Sequence, residues 1–141
     1  MFLNSLDISG SGMTAQRLKM DIISQNISNQ DTTRGANGLP YRRKVVELQE
    51  IKQTNFSDLV NAQKSIGGVE ITSIKEDPSD FKLSYDPSNP DAGPDGYVKL
   101  PNVDTTTEMV DLMASSRSYE SNVTAFNALK GMALSALEIG K

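Results

Sequence analysis

Residues 105–139 read TTTEMVDLMASSRSYESNVTAFNALKGMALSALEI, and this stretch decides the fold. It contains no proline and its apolar residues recur at helical spacing, which predicts one long helix from Thr105 to Ile139. Thr105 followed three residues later by Glu108 has the pattern of a capping box, which predicts the helix start. At ~1.5 Å per residue the helix would be about 50 Å long, more than a compact domain of this size can cover with its own chain.

The predicted helix is apolar on two sides rather than one. The first face consists of Leu112, Ser116, Tyr119, Val123, Phe126, Ala133 and Leu137. The second face consists of Ala125, Ala128, Leu129, Met132, Ala136 and Ile139. A monomeric two-helix hairpin would explain only one of these faces. Small residues around Gly131 would let other helices approach closely, so we favour self-assembly through both termini over a monomeric hairpin.

The N-terminal stretch, from Leu3 to about Asn29, predicts a second two-sided helix. One side repeats every seven residues, as a coiled-coil seam requires, with a further residue beside it: Leu6, Met13, Met20 and Ile27, with Ile23. A different side carries Ile8, Ala15, Leu18 and Ile22. The run Ser9-Gly10-Ser11-Gly12 lowers the helix propensity of the first turns. A polar series ending in Gly35 marks the end of the helix.

Between the helices the apolar period changes from 3.6 residues to 2. Four strands are predicted: Tyr41 to Leu48, Val69 to Ile74, Phe81 to Tyr85 and Tyr97 to Leu100. The polar segment from Glu50 to Lys64 is read as irregular or briefly helical. Five prolines between positions 78 and 101 exclude a long helix from the second half of this region. So small a β-rich insert has few large apolar residues, and we expect it to lean on a helix or a neighbouring molecule.

The predicted fold class is therefore α+β, with long terminal helices that pair as an α-helical coiled coil and a small β-rich module between them. The domain boundaries follow from these periods. Residues 1–33 form the N-terminal axial helix, residues 34–103 the β-rich module with its loop of Pro and Asp, and residues 104–141 the C-terminal axial helix. We expect helix pairing and assembly to involve Leu6, Met13, Met20, Ile23, Ile27, Leu112, Tyr119, Val123, Phe126, Leu129, Met132 and Leu137.

The composition argues against several classes of function. The 141-residue chain has no histidine and no cysteine, which removes histidine-activated nucleophiles, thiolate or imidazole metal sites and disulfides. We therefore expect no enzyme activity and no cofactor. A net charge of −4 is unlike the basic excess of nucleic-acid-binding domains. Aromatic residues make up only 6% of the chain, which fits long helices or assembly better than a large compact core.

Two charged stretches are candidates for binding, and both have a simpler interpretation. The acidic loop from Asp86 to Gly96 could hold calcium, but an EF-hand loop would need glycine and glutamate where Asp91 and Tyr97 stand. We predict a turn-rich, solvated loop without metal. The basic cluster Arg42-Arg43-Lys44 is followed by Glu47 and lacks interleaved aromatic residues, so it predicts the solvent or partner face of a strand rather than a nucleic-acid site.

Targeting signals are sparse. The N-terminus has no basic side chain before Arg17 and no unbroken apolar core, so it does not predict a cleaved signal peptide. No apolar run approaches the length that spans a bilayer. These rules alone predict a soluble cytoplasmic protein, unless export uses an uncleaved and weakly patterned N-terminal signal.

Several ordered motifs resemble those of one protein family. The N-terminal motif is DISGSGMTAQRLKM at 7–20, continued by ISQNISN at 23–29 and Thr32-Thr33. The middle motifs are GVEI at 68–71, EDPS at 76–79, Tyr85-Asp86-Pro87 and DGYVKLPNV at 95–103. The C-terminal motifs are EMVD at 108–111 and SRSYESNV at 116–123. Together they resemble the bacterial flagellar rod and hook proteins, and within that family the proximal-rod subunits.

The resemblance implies a structural subunit of the flagellar basal-body rod, the axial shaft that crosses the periplasm and transmits torque from motor to hook. It also implies partners: the protein itself and other rod subunits in a helical array, and the flagellar type III export apparatus, which exports such proteins without signal cleavage. Two alternatives stay open. One is a different flagellar axial subunit, and the other is a non-enzymatic helical module that binds one dedicated partner.

Overall fold

The computed structural model describes residues 2–35, 37–51 and 67–139 of the 141-residue chain. In chain order the elements are helix α1 (Phe2–Ser28), strands β1 (Lys44–Glu50), β2 (Val69–Glu76), β3 (Lys82–Tyr85) and β4 (Tyr97–Leu100), and helix α2 (Thr105–Ile139). Two long terminal helices thus enclose a small antiparallel β module. The α+β class predicted from the change of apolar period is confirmed.

Helix α1 has 27 residues and runs through its glycine-rich start without interruption. Two hydroxyl groups bond back to carbonyls one turn earlier, Ser9 to Ser5 and Thr14 to Gly10. Gly12 lies directly under the side chain of Asn122 of α2, because a Cβ at position 12 would come within 2.9 Å of the Asn122 Nδ2 atom. Tertiary packing against α2 therefore accounts for glycine at one position where propensity alone argues against a helix.

Helix α2 has 35 residues, and it begins differently from the predicted capping box. The carboxylate of Asp104 caps the helix, since its Oδ2 atom accepts the Thr107 amide at 3.3 Å and the Thr107 hydroxyl at 2.5 Å. The Thr105 hydroxyl instead donates to Gln30, and Glu108 turns into the protein interior. The predicted Thr105–Glu108 box is thus wrong, although the predicted first residue of the helix is correct.

The β module consists of two hairpins of two strands each. Strand β1 pairs antiparallel with β2, with a register shift between Glu47 and Leu48 where the ladder is irregular. Strand β3 pairs antiparallel with β4, from Lys82 opposite Leu100 to Tyr85 opposite Tyr97. The predicted fourth strand has the observed bounds, whereas the first begins three residues later than predicted, at Lys44. The Tyr41 amide bonds the Thr32 carbonyl instead of a neighbouring strand.

The β1–β2 hairpin packs on a helix rather than forming a core of its own. Both β1 and β2 contact α1, which agrees with the expectation that the module leans on a helix. The buried apolar residues lie in α1, in β4 and in the segment that leads into α2: Ala15, Ile22, Ile23, Val98 and Val103. Of the predicted irregular segment, residues 52–64 lie outside the described part of the chain, and Glu50 belongs to β1.

Within the described residues, neither helix has an apolar stretch suited to crossing a bilayer. Each helix instead carries apolar residues on more than one side.

Candidate assembly surface and buried polar cluster

The two helices pack against each other in antiparallel orientation. The side chain of Asn26, near the end of α1, bonds Glu108 in the first turn of α2, and Gly12 lies under Asn122 farther along. These two contacts fix the relative register of the helices. Because α2 is the longer helix, this register carries its last turns past Phe2, the first described residue of α1.

The side of α2 that is covered follows a spacing of four and three residues. Its members are all buried or half-buried: Glu108, Leu112, Ser115, Tyr119, Asn122, Phe126, Leu129 and Ala133. We call this set the α2 seam. Alternation of four and three residues is the spacing by which one helix presents a continuous stripe to another.

The predicted pairing residues of α1 lie beside, rather than on, the side of that helix which faces α2. The contacts of Gly12, Asn26 and Gln30 define the facing side. Continued at the same spacing, it comprises Ser5, Ser9, Gly12, Gln16, Lys19, Ile23, Asn26 and Gln30, all buried or half-buried, which we call the α1 seam. Ile23 lies on this seam, whereas Leu6, Met13, Met20 and Ile27 are half-buried next to it.

The predicted residues of α2 divide between covered and exposed positions. Leu112, Tyr119, Val123, Phe126 and Leu129 are half-buried. Met132 and Leu137 are exposed, at 52% and 71% of their full accessible area. Further large apolar side chains are exposed on the same helix, namely Met109, Val110, Met113 and Leu134. Helix α2 therefore presents apolar surface that its own chain does not cover.

Small residues accompany this exposed surface. Ala125, Ala128 and Ala136 are exposed, and no atom lies within 4 Å of the position that a Cβ would take at Gly131. Nothing inside the described chain therefore requires glycine at position 131, even though glycine in a helix interior is unfavourable by up to about 1 kcal/mol relative to alanine.

A buried cluster of polar side chains joins the helices to the β module, and we call Asn26, Tyr41, Arg43 and Glu108 the polar cluster. Asn26 is only 1% exposed and uses all of its hydrogen-bonding capacity. Its amide nitrogen donates to the Lys44 carbonyl at 2.9 Å and to Glu108 at 3.0 Å. Its amide oxygen accepts the Tyr41 hydroxyl and the Lys44 amide, both at 2.9 Å. One side chain thus holds α1, β1 and α2 together.

Glu108 is fully buried, and its carboxylate is bonded on both oxygens. One oxygen accepts Asn26, and the other accepts the Arg43 Nε at 2.6 Å. Hydrogen bonding and ion pairing on both sides offset the cost of burying a charge. Arg43 also lies 3.5 Å from the Asp77 carboxylate and 3.6 Å from that of Asp111.

The electrostatic environment keeps Arg43 and Tyr41 in one protonation state near neutrality. Burial would lower the pKa of the Arg43 guanidinium, but its interactions with Glu108 and Asp77 outweigh this effect and raise that pKa above its usual value. Burial raises the pKa of the Tyr41 phenol, and the charges of Glu108 and Glu76 raise it further. Arg43 therefore stays charged and Tyr41 stays a hydrogen-bond donor.

The polar cluster corrects the interpretation of the basic stretch. Arg43 is turned inward to Glu108 rather than lying on a solvent face, and Arg42 places its guanidinium 4.5 Å from the centre of the Phe81 ring. Sequence reasoning missed Asn26 and Arg43 as functional residues. A signal existed for Asn26, since its spacing of three from Ile23 and four from Ile22 places it on the buried side of α1.

A second set of bonds attaches the module to the segment that leads into α2. The Asn102 side chain accepts the Arg43 amide at 2.8 Å and donates to the Ser79 hydroxyl at 2.8 Å. The Lys82 ammonium donates to the Val103 carbonyl at 2.7 Å. The backbone amide and the hydroxyl of Ser79, together with Arg43, hold the pKa of Asp77 below its usual value. The module is therefore anchored to both helices.

The Asp-rich loop is organised by its own side chains. Asp86 accepts the amide and hydroxyl of Ser88, and Asp91 accepts the Thr33 hydroxyl and pairs with Arg34 at 2.9 Å. Over the described residues, no group of three acidic side chains is arranged to hold a metal ion. The loop is a series of turns fastened to the chain that follows α1.

Comparisons with known proteins match both ends of the chain and then its whole length. The family model described as Flagella basal body rod protein matches residues 6–36, and that described as Flagellar basal body rod FlgEFG protein C-terminal matches residues 95–139. The Flagellar basal-body rod protein FlgC of Bacillus subtilis (strain 168) is 54% identical over 98% of this chain and 97% of its own.

More distant relatives match over nearly the same extent. The FlgC protein of Escherichia coli O6:H1 is 41% identical over 99% of this chain and 98% of its own. That of Borreliella burgdorferi is 41% identical over 96% and 95% of the two chains. The similarity therefore includes both helices and the β module between them.

Proposed function

This chain belongs to the family of flagellar basal-body rod proteins, with the FlgC proteins as full-length relatives, and is a structural subunit of the rod; on that basis we propose that it assembles through its two terminal helices. In this proposal α1 and α2 pair as an antiparallel coiled coil within one subunit. The apolar surface left outside the pair packs against other rod subunits. The resulting array is the axial shaft that transmits torque from the motor to the hook.

The observation that carries this proposal is the uncovered apolar surface of α2. One side of the helix is half-buried against its own chain, while large side chains such as Met113, Met132 and Leu137 are exposed. Exposed large apolar side chains on a helix favour a docking partner, because their burial removes apolar surface from water. The related subunits of a rod carry helices of the same family and are the partners of matching chemistry.

The coiled-coil part of the proposal is supported by spacing on both helices. The α2 seam and the α1 seam both alternate by four and three residues, and the sevenfold series Leu6, Met13, Met20 and Ile27 lies beside the α1 seam. A repeat of seven keeps one stripe in contact along a pair of supercoiled helices. We assign Tyr119 and Phe126 to pairing within the chain, and Leu129 to the boundary between the two faces.

The second face is assigned to contacts between subunits. Contacts between different surfaces of related subunits give an open helical array when the rotation between neighbours does not close. Packed helices without voids resist sliding, so torque is shared among many contacts rather than carried by one. Ala128, Met132 and Ala136 lie on this face, and their small or flexible side chains suit close approach.

The division of the chain follows the same logic. We propose residues 1–33 and 104–141 as the axial part of the subunit and residues 34–103 as a β module carried outside it. The relatives locate this family in the basal body, which replaces the cytoplasmic location inferred from targeting rules. We further propose that the rod crosses the periplasm and that the flagellar type III apparatus exports the chain without cleaving a signal.

The proposal is tested by separating folding from assembly on α2. Phe126→Ala should destabilise the purified chain by roughly 2 kcal/mol, less than for a fully buried aromatic residue because Phe126 is half-buried. Ala128→Glu should leave the far-UV circular dichroism and the unfolding midpoint unchanged, because Ala128 is exposed, yet abolish motility and rod assembly. The measurements are chemical unfolding and electron microscopy of isolated basal bodies.

The matched control is Asn127→Glu, which places the same charge on an adjacent exposed position outside the second face. It should retain motility. If Ala128→Glu cells swim normally with intact rods, the second face does not contact neighbouring subunits. If Ala128→Glu unfolds the chain while Phe126→Ala only blocks assembly, the two faces have exchanged roles.

A further inference from the structure

The two helix seams are poor at selecting a single register by themselves. The α1 seam consists mostly of small or polar residues, with Ile23 as its one large aliphatic side chain. The α2 seam includes Ser115, which is 2% exposed and whose hydroxyl has no hydrogen-bond partner within the described part of the chain. Since positions on both seams repeat every seven residues, a slip of seven residues places seam against seam again.

Simple helix geometry shows that one slipped register is sterically tolerable. In the observed register, Asn26 faces Glu108 and Gly12 faces Asn122. A slip in one direction would place Gly12 opposite Ser115, two small residues that fit together. It would also place Lys19 opposite Glu108, and Lys19 already lines the same 170 Å³ cavity as Glu108. Even the charge of Glu108 could therefore find a partner in the wrong register.

What distinguishes the observed register is the polar cluster. Asn26 has its four hydrogen bonds only when Glu108, Tyr41 and the backbone of Lys44 converge on it. In the slip that brings Lys19 to Glu108, Asn26 would face the chain before α2. In the opposite slip, Glu108 would lie beyond Ser28, the last residue of α1. Either slip leaves buried polar groups without partners, which is strongly unfavourable.

We propose that the polar cluster is a register-setting device: it selects one alignment of α1 with α2, and only in that alignment does it attach the β module to the helix pair. Arg43 is essential to the second part, because it immediately precedes β1 and its guanidinium donates to Glu108, while its amide donates to Asn102 just before α2. The β module is thus bonded both to Asn26 of α1 and to Asn102 just before α2. It can make both attachments only when the two helices have the observed alignment. A single buried polar contact is known to fix register in coiled coils at some loss of stability.

The test measures alignment rather than stability. Because the chain has no cysteine, Ser24→Cys and Glu120→Cys can carry a pair of spin labels at two exposed positions. In the observed register these positions are about ten residues apart along the pair, an axial separation of roughly 15 Å. A slip of seven residues changes that separation to about 5 Å or about 25 Å, so each register has its own distance.

Pulsed electron spin resonance should give a single distance for the labelled parent chain. The apolar variant Asn26→Leu, Tyr41→Phe, Arg43→Met, Glu108→Leu should keep its helices by circular dichroism, since an apolar replacement of a whole buried cluster often preserves stability. It should show additional distances from slipped registers. The control Val98→Ala, which weakens the buried part of β4, should lower the unfolding midpoint and keep the single distance.

A single unchanged distance in the folded apolar variant would overturn the proposal, and so would a broad distribution in the parent. If the apolar variant does not fold, Glu108→Gln decides, because it keeps the shape and one acceptor but removes the charge that holds Arg43. Additional distances in Glu108→Gln support the proposal, and one distance refutes it.

Discussion

Asp104 and Glu108 stand four residues apart, and the fold gives these two acids opposite environments. Asp104 is exposed at the helix end, where its carboxylate bonds Thr107. Glu108 is sealed inside and bonds Asn26 and Arg43. The carboxylate of Asp104 lies at the positive end of the α2 dipole, which favours its charged form. The start of α2 is therefore held by two acids: Asp104 caps it at the surface, and Glu108 bonds the polar cluster in the interior.

The charge of Asp104 should contribute to stability in a pH-dependent way. The hydroxyl and amide of Thr107, with Lys82 nearby, hold the pKa of Asp104 below its usual value of about 3.9. A pKa lowered in the folded state stabilises the fold above the unfolded-state pKa and loses this effect as pH falls through the folded-state pKa. Asp104→Asn keeps a capping oxygen without the charge, so it should lower the unfolding midpoint at pH 7 but not at pH 2.

Asp104→Ala is the companion variant, because it removes the cap together with the charge. Its midpoint should lie below that of Asp104→Asn at pH 7, and the two should remain different at low pH. Thermal unfolding of the three chains between pH 7 and pH 2 measures this. Equal pH dependence in the parent and Asp104→Asn would exclude a charge contribution from Asp104.

Gly131 allows a second prediction at the scale of one residue. Gly131→Ala should stabilise the isolated chain by about 0.5–1 kcal/mol, because alanine favours the helix and a methyl group there meets no neighbour within 4 Å in the described part of the chain beyond the helix's own backbone. The same methyl group should hinder close approach by a neighbouring subunit, so motility should fall. Gly10→Ala is the control, since that position is equally open. It should stabilise the chain and leave motility unchanged; normal motility in Gly131→Ala would show that no neighbour approaches there.

At the scale of an element, each helix has one firmly held end and one weakly held end. The last turns of α1 and the first turns of α2 meet at the polar cluster. At the other end, the last turns of α2 extend past the start of α1, and Leu137 is largely exposed. Local stability follows the density of buried contacts, so it should decrease along α2 from Glu108 to Leu137.

Hydrogen exchange of the isolated chain measures this gradient. Amides near Ile23 and Leu112 should be protected, while amides before Gly10 and after Leu129 should exchange quickly. In assembled rods the same terminal amides should become protected, because neighbours bury them and stabilise the helix by mass action. Strong protection of both termini in the dilute chain would contradict the assignment of these surfaces to neighbouring subunits.

The elements themselves could be predicted because their signals are local. The period of 3.6 residues and the absence of proline located α2 from Thr105 to Ile139, and alternation located β4 from Tyr97 to Leu100. The glycine-rich start of α1 was the weakest part of the helix prediction. Gly12 in this segment packs against Asn122, more than a hundred residues away. A contact between such distant residues cannot be inferred from local helix propensity.

The polar cluster could not be predicted, for a physical reason. Asn26 and Glu108 are 82 positions apart, and the apolar spacing around Asn26 indicates that it is buried but not which residues it bonds. The pattern Thr105-x-x-Glu108 fits a capping box as well as it fits a buried acid, and only the tertiary partner Arg43 decides between them. The twelve predicted pairing residues rest on apolar periodicity alone, and their roles remain a prediction.

At the scale of the whole molecule, the chain buries few apolar residues, and these lie in α1, in β4 and just before α2. The buried aliphatic residues are few, and both hairpins have only two strands. A pair of two-stranded hairpins is marginal without support from a helix. The subunit is therefore best described as a pair of helices to which the small β module is attached, rather than as a globular domain with helical extensions.

The position of Glu108 in the first turn of α2 also governs how accurately the far end of that helix is aimed. About 31 residues follow Glu108 in α2, a lever of roughly 46 Å. A tilt of about 5° at the buried carboxylate would displace the last turn by about 4 Å, roughly three-quarters of the ~5.4 Å rise of one helical turn. A small change of angle at one end of α2 would therefore displace the contacts at its other end. The hydrogen bonds on both carboxylate oxygens of Glu108 restrict such a change of angle where the helix begins.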